Sequence, residues 1–162
     1  PDLLATAPSN DDAGADAGAV YVFADVDPDL SGQDDDAGDY EVRLLGAAAG
    51  DSLGLRLVAT GDVNADGEVD LLVGSDAWDP SSAAADAGAA WFFYGPLAGT
   101  YDLASDYDAR FVGDETGDYC GVAVGLADLD GDGGDDLVVG CRSGDDSTGT
   151  DIGTVLFFEG NR

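Results

Sequence analysis

Basic residues are scarce in this 162-residue chain. It contains five arginines, no lysine and no histidine against 35 acidic residues, which gives a formal net charge of −30. A surface of this charge repels nucleic acid and anionic membranes, so we expect neither as a partner. The absence of histidine excludes a histidine general base within this chain. The natural counter-ions of such a surface are metal cations or high salt.

Cysteines and long apolar runs are also rare. Cys120 and Cys141 are too few for a disulfide-rich scaffold but sufficient for one bridge. The sequence leaves two possibilities open, a bridge in an exported protein or two reduced core cysteines. No run approaches 18 apolar residues and no signal-peptide pattern occurs, so we expect no membrane insertion. Export, which we expect, would then depend on sequence outside this stretch.

The residues that are present predict a folded domain. The hydrophobic fraction is 44%, with six Phe, six Tyr and two Trp, which is too apolar for a disordered acidic tail.

Four features recur along the chain with a period of about 65 to 70 residues. The acidic loop that begins at Asp62 returns 66 residues later at Asp128. Glycine-led aromatic runs begin at Gly18, Gly88 and Gly153. The run Leu44-Leu45-Gly46 returns as Phe111-Val112-Gly113, and the opening PDLLATAP matches VDLLVGSD from Val69.

Each unit contains four short runs rich in Val, Leu, Phe and Tyr that are bounded by Gly and Asp and lack a helical period. Such runs predict strands, which in the middle unit lie near 54–61, 69–74, 88–94 and 108–113. The short acidic loop between the first two predicts an antiparallel hairpin. Repeated four-stranded antiparallel units are typical of propeller blades, so the predicted fold class is all-β.

The phase of the repeat divides the chain into three blades. We assign residues 1–51 to strands 2 to 4 of a first blade, 52–118 to a complete blade, and 119–162 to strands 1 to 3 of a third. These make about ten strands, too few to close a ring of four to eight blades. We therefore expect the remaining blades from missing sequence or from other chains. The first source is favoured because Asp2 matches the closing ligand of a loop whose start is absent.

The two acidic loops predict calcium sites. Oxygen side chains at alternate positions surround one centre, glycine allows the turn, and a main-chain carbonyl supplies one further oxygen. Oxygen donors without His or Cys favour Ca²⁺ over zinc or copper, and Mg²⁺ prefers to keep several waters. An EF-hand is excluded because its twelfth position needs a glutamate, where these loops have Val73 and Val139. The predicted ligands are Asp62, Asn64, Asp66, the carbonyl of Glu68 and Asp70; Asp128, Asp130, Asp132, the carbonyl of Gly134 and Asp136; and Asp2 as a remnant of a third loop.

These loops and the aromatic runs resemble the FG-GAP repeat of integrin α-subunit β-propellers and their bacterial relatives. Leu53-Gly54 and Cys120-Gly121 occupy the Phe-Gly position of that repeat, and Thr6-Ala7-Pro8 occupies its Gly-Ala-Pro position. The resemblance implies a seven-bladed propeller with calcium in the hairpin loops of one face. Ligand recognition would lie on the other face, formed by the loops 8–17, 75–87 and 141–152 and by 46–53 and 114–120.

Several aromatic and acidic segments have two interpretations. Trp91, Phe92 and Phe93 recur at one blade position with Tyr21 and Phe23, which favours packing between blades over a carbohydrate platform. Trp78 has no aromatic counterpart in the other units, so both an exposed ligand contact and a buried position stay open. The run from Asp25 to Tyr40 is interpreted as a solvated insertion between strands 3 and 4 rather than as a further cation site or an interaction loop.

Three functions are compatible with this sequence. The first is a non-catalytic, calcium-stabilised propeller segment of a secreted or cell-surface protein, acting in adhesion or in binding a protein or glycan ligand. The second is the propeller portion of an extracellular hydrolase or polysaccharide lyase, whose basic groups would have to come from Arg43, Arg56, Arg110, Arg142 or Arg162. The third is a structural assembly in which blades from several chains pack together.

Overall fold

A computed structural model describes residues 2–24, 40–56, 58–80, 85–145 and 151–160 of the chain. These residues form eleven strands and no helix, and so contain no helix that could cross a membrane. The strands are β1 (Leu3–Ala7), β2 (Ala19–Phe23), β3 (Val42–Leu45), β4 (Val58–Gly61), β5 (Asp70–Ser75), β6 (Ala89–Phe93), β7 (Gly99–Asp102), β8 (Ala109–Val112), β9 (Cys120–Ala127), β10 (Asp136–Cys141) and β11 (Thr154–Phe158).

The strands form three sheets. The first has the order β1-β2-β3-β7, the second β4-β5-β6-β8 and the third β11-β10-β9. Neighbouring strands pair antiparallel in all three sheets, except for β3 and β7 at the edge of the first sheet, which pair in parallel. The predicted all-β class with four-stranded antiparallel units is therefore confirmed.

The four strands predicted for the middle unit are present as β4, β5, β6 and β8. The first begins at Val58 rather than at 54, because the preceding residues form a turn in which the Leu55 N–H donates to the Ser52 carbonyl at 2.9 Å. The predicted insertion between Asp25 and Tyr40 lies, except for Tyr40 itself, outside the described residues.

Strand β7 was not predicted, and it raises the count from about ten strands to eleven. It lies in the connection between β6 and β8 but pairs in parallel with β3 of the first sheet. The connection continues to the buried Leu103, whose carbonyl accepts a hydrogen bond from the Trp91 indole at 3.1 Å. A segment of the middle unit is thus bound to the outer edge of the preceding sheet.

The apolar core lies between the sheets, and β6 contributes to both sides. Ala89, Trp91 and Phe93 face the first sheet, where they pack with Val20 and Leu44. The alternate residues Ala90 and Phe92 face the third sheet and pack with Leu137 and Val139. Successive strand side chains point to opposite faces of a sheet, which explains the division. The predicted packing of the aromatic run between blades is confirmed for Trp91, Phe92 and Phe93.

Trp78 belongs to this core. It is 7% exposed and its ring meets Trp91 edge to face, with 5.5 Å between the centroids. The Arg110 guanidinium lies 4.7 Å from the Trp78 ring centroid and 5.1 Å from that of Tyr107. Of the two interpretations left open by the sequence, the exposed ligand contact is therefore wrong, because the indole fills space between sheets.

The connecting loops separate into two ends of the sheets. The hairpin loop before Asp70 and the loop after Ser75 lie at opposite ends of β5, because a strand crosses the sheet between them. At the end away from the hairpin loops, the connections contact each other across sheets. Main-chain bonds join Ser52 N–H to the Asp16 carbonyl at 3.0 Å, Cys120 N–H to Ala87 at 2.9 Å and Ser143 N–H to Asp118 at 3.1 Å. We call this end the connection face.

Candidate metal centre

The loop between β4 and β5 is organised by its own side-chain oxygens. The two Asp62 carboxylate oxygens accept the N–H groups of Asp66 and Gly67 at 3.0 and 2.9 Å. The Asn64 side-chain oxygen accepts the Asp66 N–H at 3.1 Å, and Asp66 accepts the Glu68 N–H at 2.8 Å. Side chains with this spacing replace the main-chain partners that a tight turn cannot supply.

The loop between β9 and β10 repeats this arrangement residue by residue. The Asp128 oxygens accept the N–H groups of Asp132 and Gly133, both at 3.1 Å. Asp130 accepts the Asp132 N–H at 2.9 Å, and Asp132 accepts the Gly134 N–H at 2.9 Å. The two loops therefore share one hydrogen-bond pattern as well as one sequence pattern.

Carboxylate oxygens of Asp128, Asp130 and Asp132 lie within 4.8 Å of one another. Two oxygens bound to the same Ca²⁺ at 2.3–2.6 Å lie at most about 5 Å apart, so one ion can reach all three. The equivalent side chains of the other loop also lie close together, since the Asn64 amide donates to Asp66 at 2.7 Å. Carboxylate and amide oxygens without nitrogen or sulfur donors fit calcium by their chemistry.

The closing aspartates differ from the other proposed ligands. Asp70 and Asp136 are 0% and 1% exposed, and each lies at the start of a strand. Asp70 accepts the N–H groups of Val63 and Gly95, both at 2.8 Å, and Asp136 accepts those of Leu129 and Gly160, both at 3.0 Å. Each carboxylate thus ties its hairpin loop to the segment that follows the third strand of its sheet. A calcium ligand at these positions would use the remaining lone pairs.

The remnant ligand Asp2 lies in a different setting. It lines a cavity of about 630 Å³ between the first two sheets, together with Glu41 and Glu68. The rest of the lining is mostly apolar and includes Leu4, Val42, Leu71, Pro96 and Leu97. The structure thus brings Asp2 and Glu68 to one cavity although the sequence assigns them to different loops.

Two buried aspartates on the connection face were missed by sequence reasoning. Asp51 and Asp118 are 3% and 6% exposed, and they accept main-chain N–H groups from Ala48 at 2.6 Å and Glu115 at 2.9 Å. Burial raises the pKa of Asp51 to about 6. Both occur in a Gly-Asp-x-x-Gly pattern 67 residues apart, which is the signal that could have identified them. Their hydrogen bonds indicate a role in holding the connections.

The described arginines do not form a common site. Arg43 pairs with Asp12, Arg56 donates to Asp76 at 3.1 Å, Arg110 lies against Trp78, and Arg142 lies 3.9 Å from the Tyr119 ring centroid. No two of these four share a partner among the residues that the structure describes. Arg162 lies outside the described residues.

Cys120 and Cys141 form a disulfide, which settles the alternative left open by the sequence. They are register partners on β9 and β10, and both are buried. A disulfide is consistent with an oxidising compartment.

Comparison with known families agrees with this architecture. Residues 56–93 match the family model of the FG-GAP repeat, and this segment contains β4, the first acidic loop, β5 and β6. No curated protein matches the chain in a sequence comparison. The chain therefore carries an FG-GAP repeat at residues 56–93, set in an all-β arrangement of propeller-type antiparallel sheets.

Proposed function

We propose that this chain is a calcium-stabilised propeller segment of a secreted or cell-surface protein, which binds a protein or glycan ligand without catalysing a reaction. The observation that carries the proposal is the same oxygen-rich hairpin loop in two consecutive sheets, one of them within the FG-GAP match. A loop repeated from sheet to sheet is expected to fasten each hairpin rather than to form one reaction centre. The disulfide supports export.

Calcium would be held mainly by Asp62, Asn64 and Asp66 in one loop and by Asp128, Asp130 and Asp132 in the other. When bound, it neutralises carboxylates that otherwise repel one another. At about 4 Å two like charges repel by roughly 1 kcal/mol in water and several times more near a protein surface. The protein's own contribution is to hold these oxygens in place through the loop N–H groups.

Calcium should raise the melting temperature. An ion at 100 times its Kd stabilises the folded state by about 2.7 kcal/mol per site, and 1 kcal/mol moves the melting temperature of a chain of this size by about 2–4 °C. We therefore expect a rise on the order of 5 °C or more between EDTA and excess calcium in thermal melts followed by circular dichroism.

The variants Asp66→Ala and Asp132→Ala should each remove at least half of this rise. Asp114→Ala, which removes an exposed acid from the connection face, serves as the matched control and should leave it unchanged. Melting curves that superimpose in EDTA and calcium would show the loops to be ordinary acidic turns.

Ligand binding is proposed for the connection face, opposite the calcium loops. This face carries an exposed cation on an acidic protein, Arg142, stacked against Tyr119. Each of the four described arginines has a different partner. This supports a binding role over the alternative of a hydrolase or lyase, whose basic groups would have to converge on one site.

This location can be tested with immobilised extracellular proteins and a glycan array, in calcium buffer. We expect Arg142→Ala to weaken capture at least fivefold, because an Arg–aromatic pair is a strong recognition element. Tyr94→Ala, which alters an exposed tyrosine at the hairpin-loop end, is the control. Capture that depends on Tyr94 and not on Arg142 would show that the ligand binds at the hairpin-loop end, and the proposed location would be wrong.

The structural alternative is favoured by the outer face of the third sheet. Val155 and Phe157 are 68% and 48% exposed, and Val138 is the register partner of Phe157. The equivalent face of the second sheet, around Leu72, Ala90 and Phe92, is covered by the third sheet. We therefore propose that a further sheet, from additional sequence or another chain, covers Val155 and Phe157.

A further inference from the structure

The two acidic loops contact each other through Asp135. Its side-chain oxygen accepts the Asp62 N–H at 2.8 Å, and its own N–H donates to the Asp62 carbonyl at 2.9 Å. This reciprocal pair connects the second and third sheets at the hairpin-loop end. Through these two hydrogen bonds, Asp135 of one acidic loop holds the main chain of the other loop at Asp62.

The approach of the loops depends on a residue without a side chain. A Cβ on Gly61 would overlap the Asp135 carboxylate and would lie 2.9 Å from the Leu126 Cβ. Glycine at 61 therefore leaves the space that the Asp135 carboxylate fills.

Both partners of this contact are directly linked to proposed ligands. Asp62 is the first ligand of its loop, and its carboxylate accepts the N–H groups of Asp66 and Gly67. Asp135 immediately precedes Asp136, which closes the other loop by accepting the Leu129 N–H. An ion that fixes one loop therefore also fixes a main-chain segment that the other loop contacts.

Sequence periodicity alone does not account for Asp135. The equivalent position of the first loop, 66 residues earlier, is Val69, which is 62% exposed and lines the cavity between the first two sheets. The carboxylate at 135 is thus an addition to the repeated ligand pattern, and its hydrogen bond is directed at the neighbouring loop.

We propose that Asp135 is a positioning residue that couples calcium binding at loop 62–70 to calcium binding at loop 128–136. The inference rests on the calcium binding proposed above. Occupation of one loop holds Asp135 or Asp62 in the conformation that the other loop needs, so each ion strengthens binding of the other. Coupling between two sites is reciprocal, and its usual size is about 5- to 150-fold.

The experiment is a calcium titration of the whole chain followed by the amide resonances of Gly67 and Gly133. Each amide donates to the first aspartate of its own loop, at 2.9 and 3.1 Å, so each reports one site. Disabling loop 128–136 with Asp132→Ala should weaken binding at the Gly67 site by about fivefold. Asp66→Ala should weaken binding at the Gly133 site by the same factor, because linkage is reciprocal. Asp132→Asn and Asp66→Asn replace these variants if either prevents folding.

The role of Asp135 is then isolated in the same titration. In an Asp135→Ala background, Asp132→Ala should no longer change the affinity at Gly67. Asp135→Asn retains an oxygen that accepts the Asp62 N–H and should preserve the coupling, while Gly61→Ala should abolish it by displacing the carboxylate. Asp114→Ala controls for the loss of one negative charge.

Three results would overturn the proposal. Unchanged affinity at Gly67 when loop 128–136 is disabled would show two independent sites, and the proposed calcium function would stand. Loss of coupling in Asp135→Asn equal to that in Asp135→Ala would assign the effect to charge rather than to positioning. A titration in which neither glycine amide responds to calcium would overturn the proposed function as well.

Discussion

At the scale of single residues, the two acidic loops differ at the third residue after each first aspartate. Ala65 has a φ of +55°, and the equivalent Gly131 has a φ of +81°. A side chain in this left-handed region costs about 1–2 kcal/mol, which glycine avoids. The turn is therefore strained in one copy of the loop and relaxed in the other.

Ala65→Gly should stabilise the protein. Relief of strain exceeds the extra chain entropy of glycine, about 0.5–1 kcal/mol, so we expect a net gain of roughly 0.5–1 kcal/mol in the free energy of unfolding. Urea denaturation in EDTA measures it without a contribution from calcium. Ala127→Gly, at the exposed end of β9, is the matched control and should lose stability instead. A loss in Ala65→Gly would show that the turn is not strained.

The residue scale also shows why some acids were recognised from sequence and others were not. Asp62, Asn64 and Asp66 were identified because oxygen side chains at every second position, followed by a glycine, determine the shape of the loop. Asp51 and Asp118 do not alternate with other Asp or Asn residues, and their burial cannot be distinguished by residue type in a chain with 35 acidic residues. The hydrogen bond of Asp135 to Asp62 could not be predicted, because it joins loops 73 positions apart in the chain.

At the scale of elements, strands were predictable where a run is apolar enough to be buried on both faces. β5 and β6 are buried at every residue, and their Leu, Val, Trp and Phe runs identified them. β7 reads Gly-Thr-Tyr-Asp and is largely exposed, so its extended form depends on pairing with β3 rather than on its own sequence. Trp78 was ambiguous for the same reason, since a loop residue becomes buried only through the sheets that pack around it.

The hairpin of β9 and β10 illustrates the opposite case. The acidic loop fixes the turn and so brings the far ends of the two strands together, where a shift in register between Gly140 and Cys141 sets Cys141 opposite Cys120. The proximity of the two cysteines could therefore be predicted from the sequence. Only the structure shows that they are bonded, because the same register would also suit two reduced core cysteines.

At the scale of the whole molecule, three sheets pack in series, each covering one face of the next. The second sheet is covered on both faces, so β6 is buried throughout. The third sheet is covered on one face, and β11 alternates between half-buried residues such as Leu156 and the exposed Val155 and Phe157. The sequence repeat predicts similar side chains at equivalent positions of each sheet. Whether such a side chain is buried depends on the presence of a neighbouring sheet.

This difference can be measured with two phenylalanines at equivalent positions, 65 residues apart. Phe92 is 2% exposed between the second and third sheets, whereas Phe157 is 48% exposed on the outer face of the third. Phe92→Ala should cost about 3–5 kcal/mol because it leaves a cavity in the core, and Phe157→Ala should cost about 1 kcal/mol or less because its ring is half in water. Urea denaturation of the two variants in calcium buffer compares them directly. Equal costs would show that the chain itself covers the outer face of the third sheet, and no further sheet would then be needed to bury Val155 and Phe157.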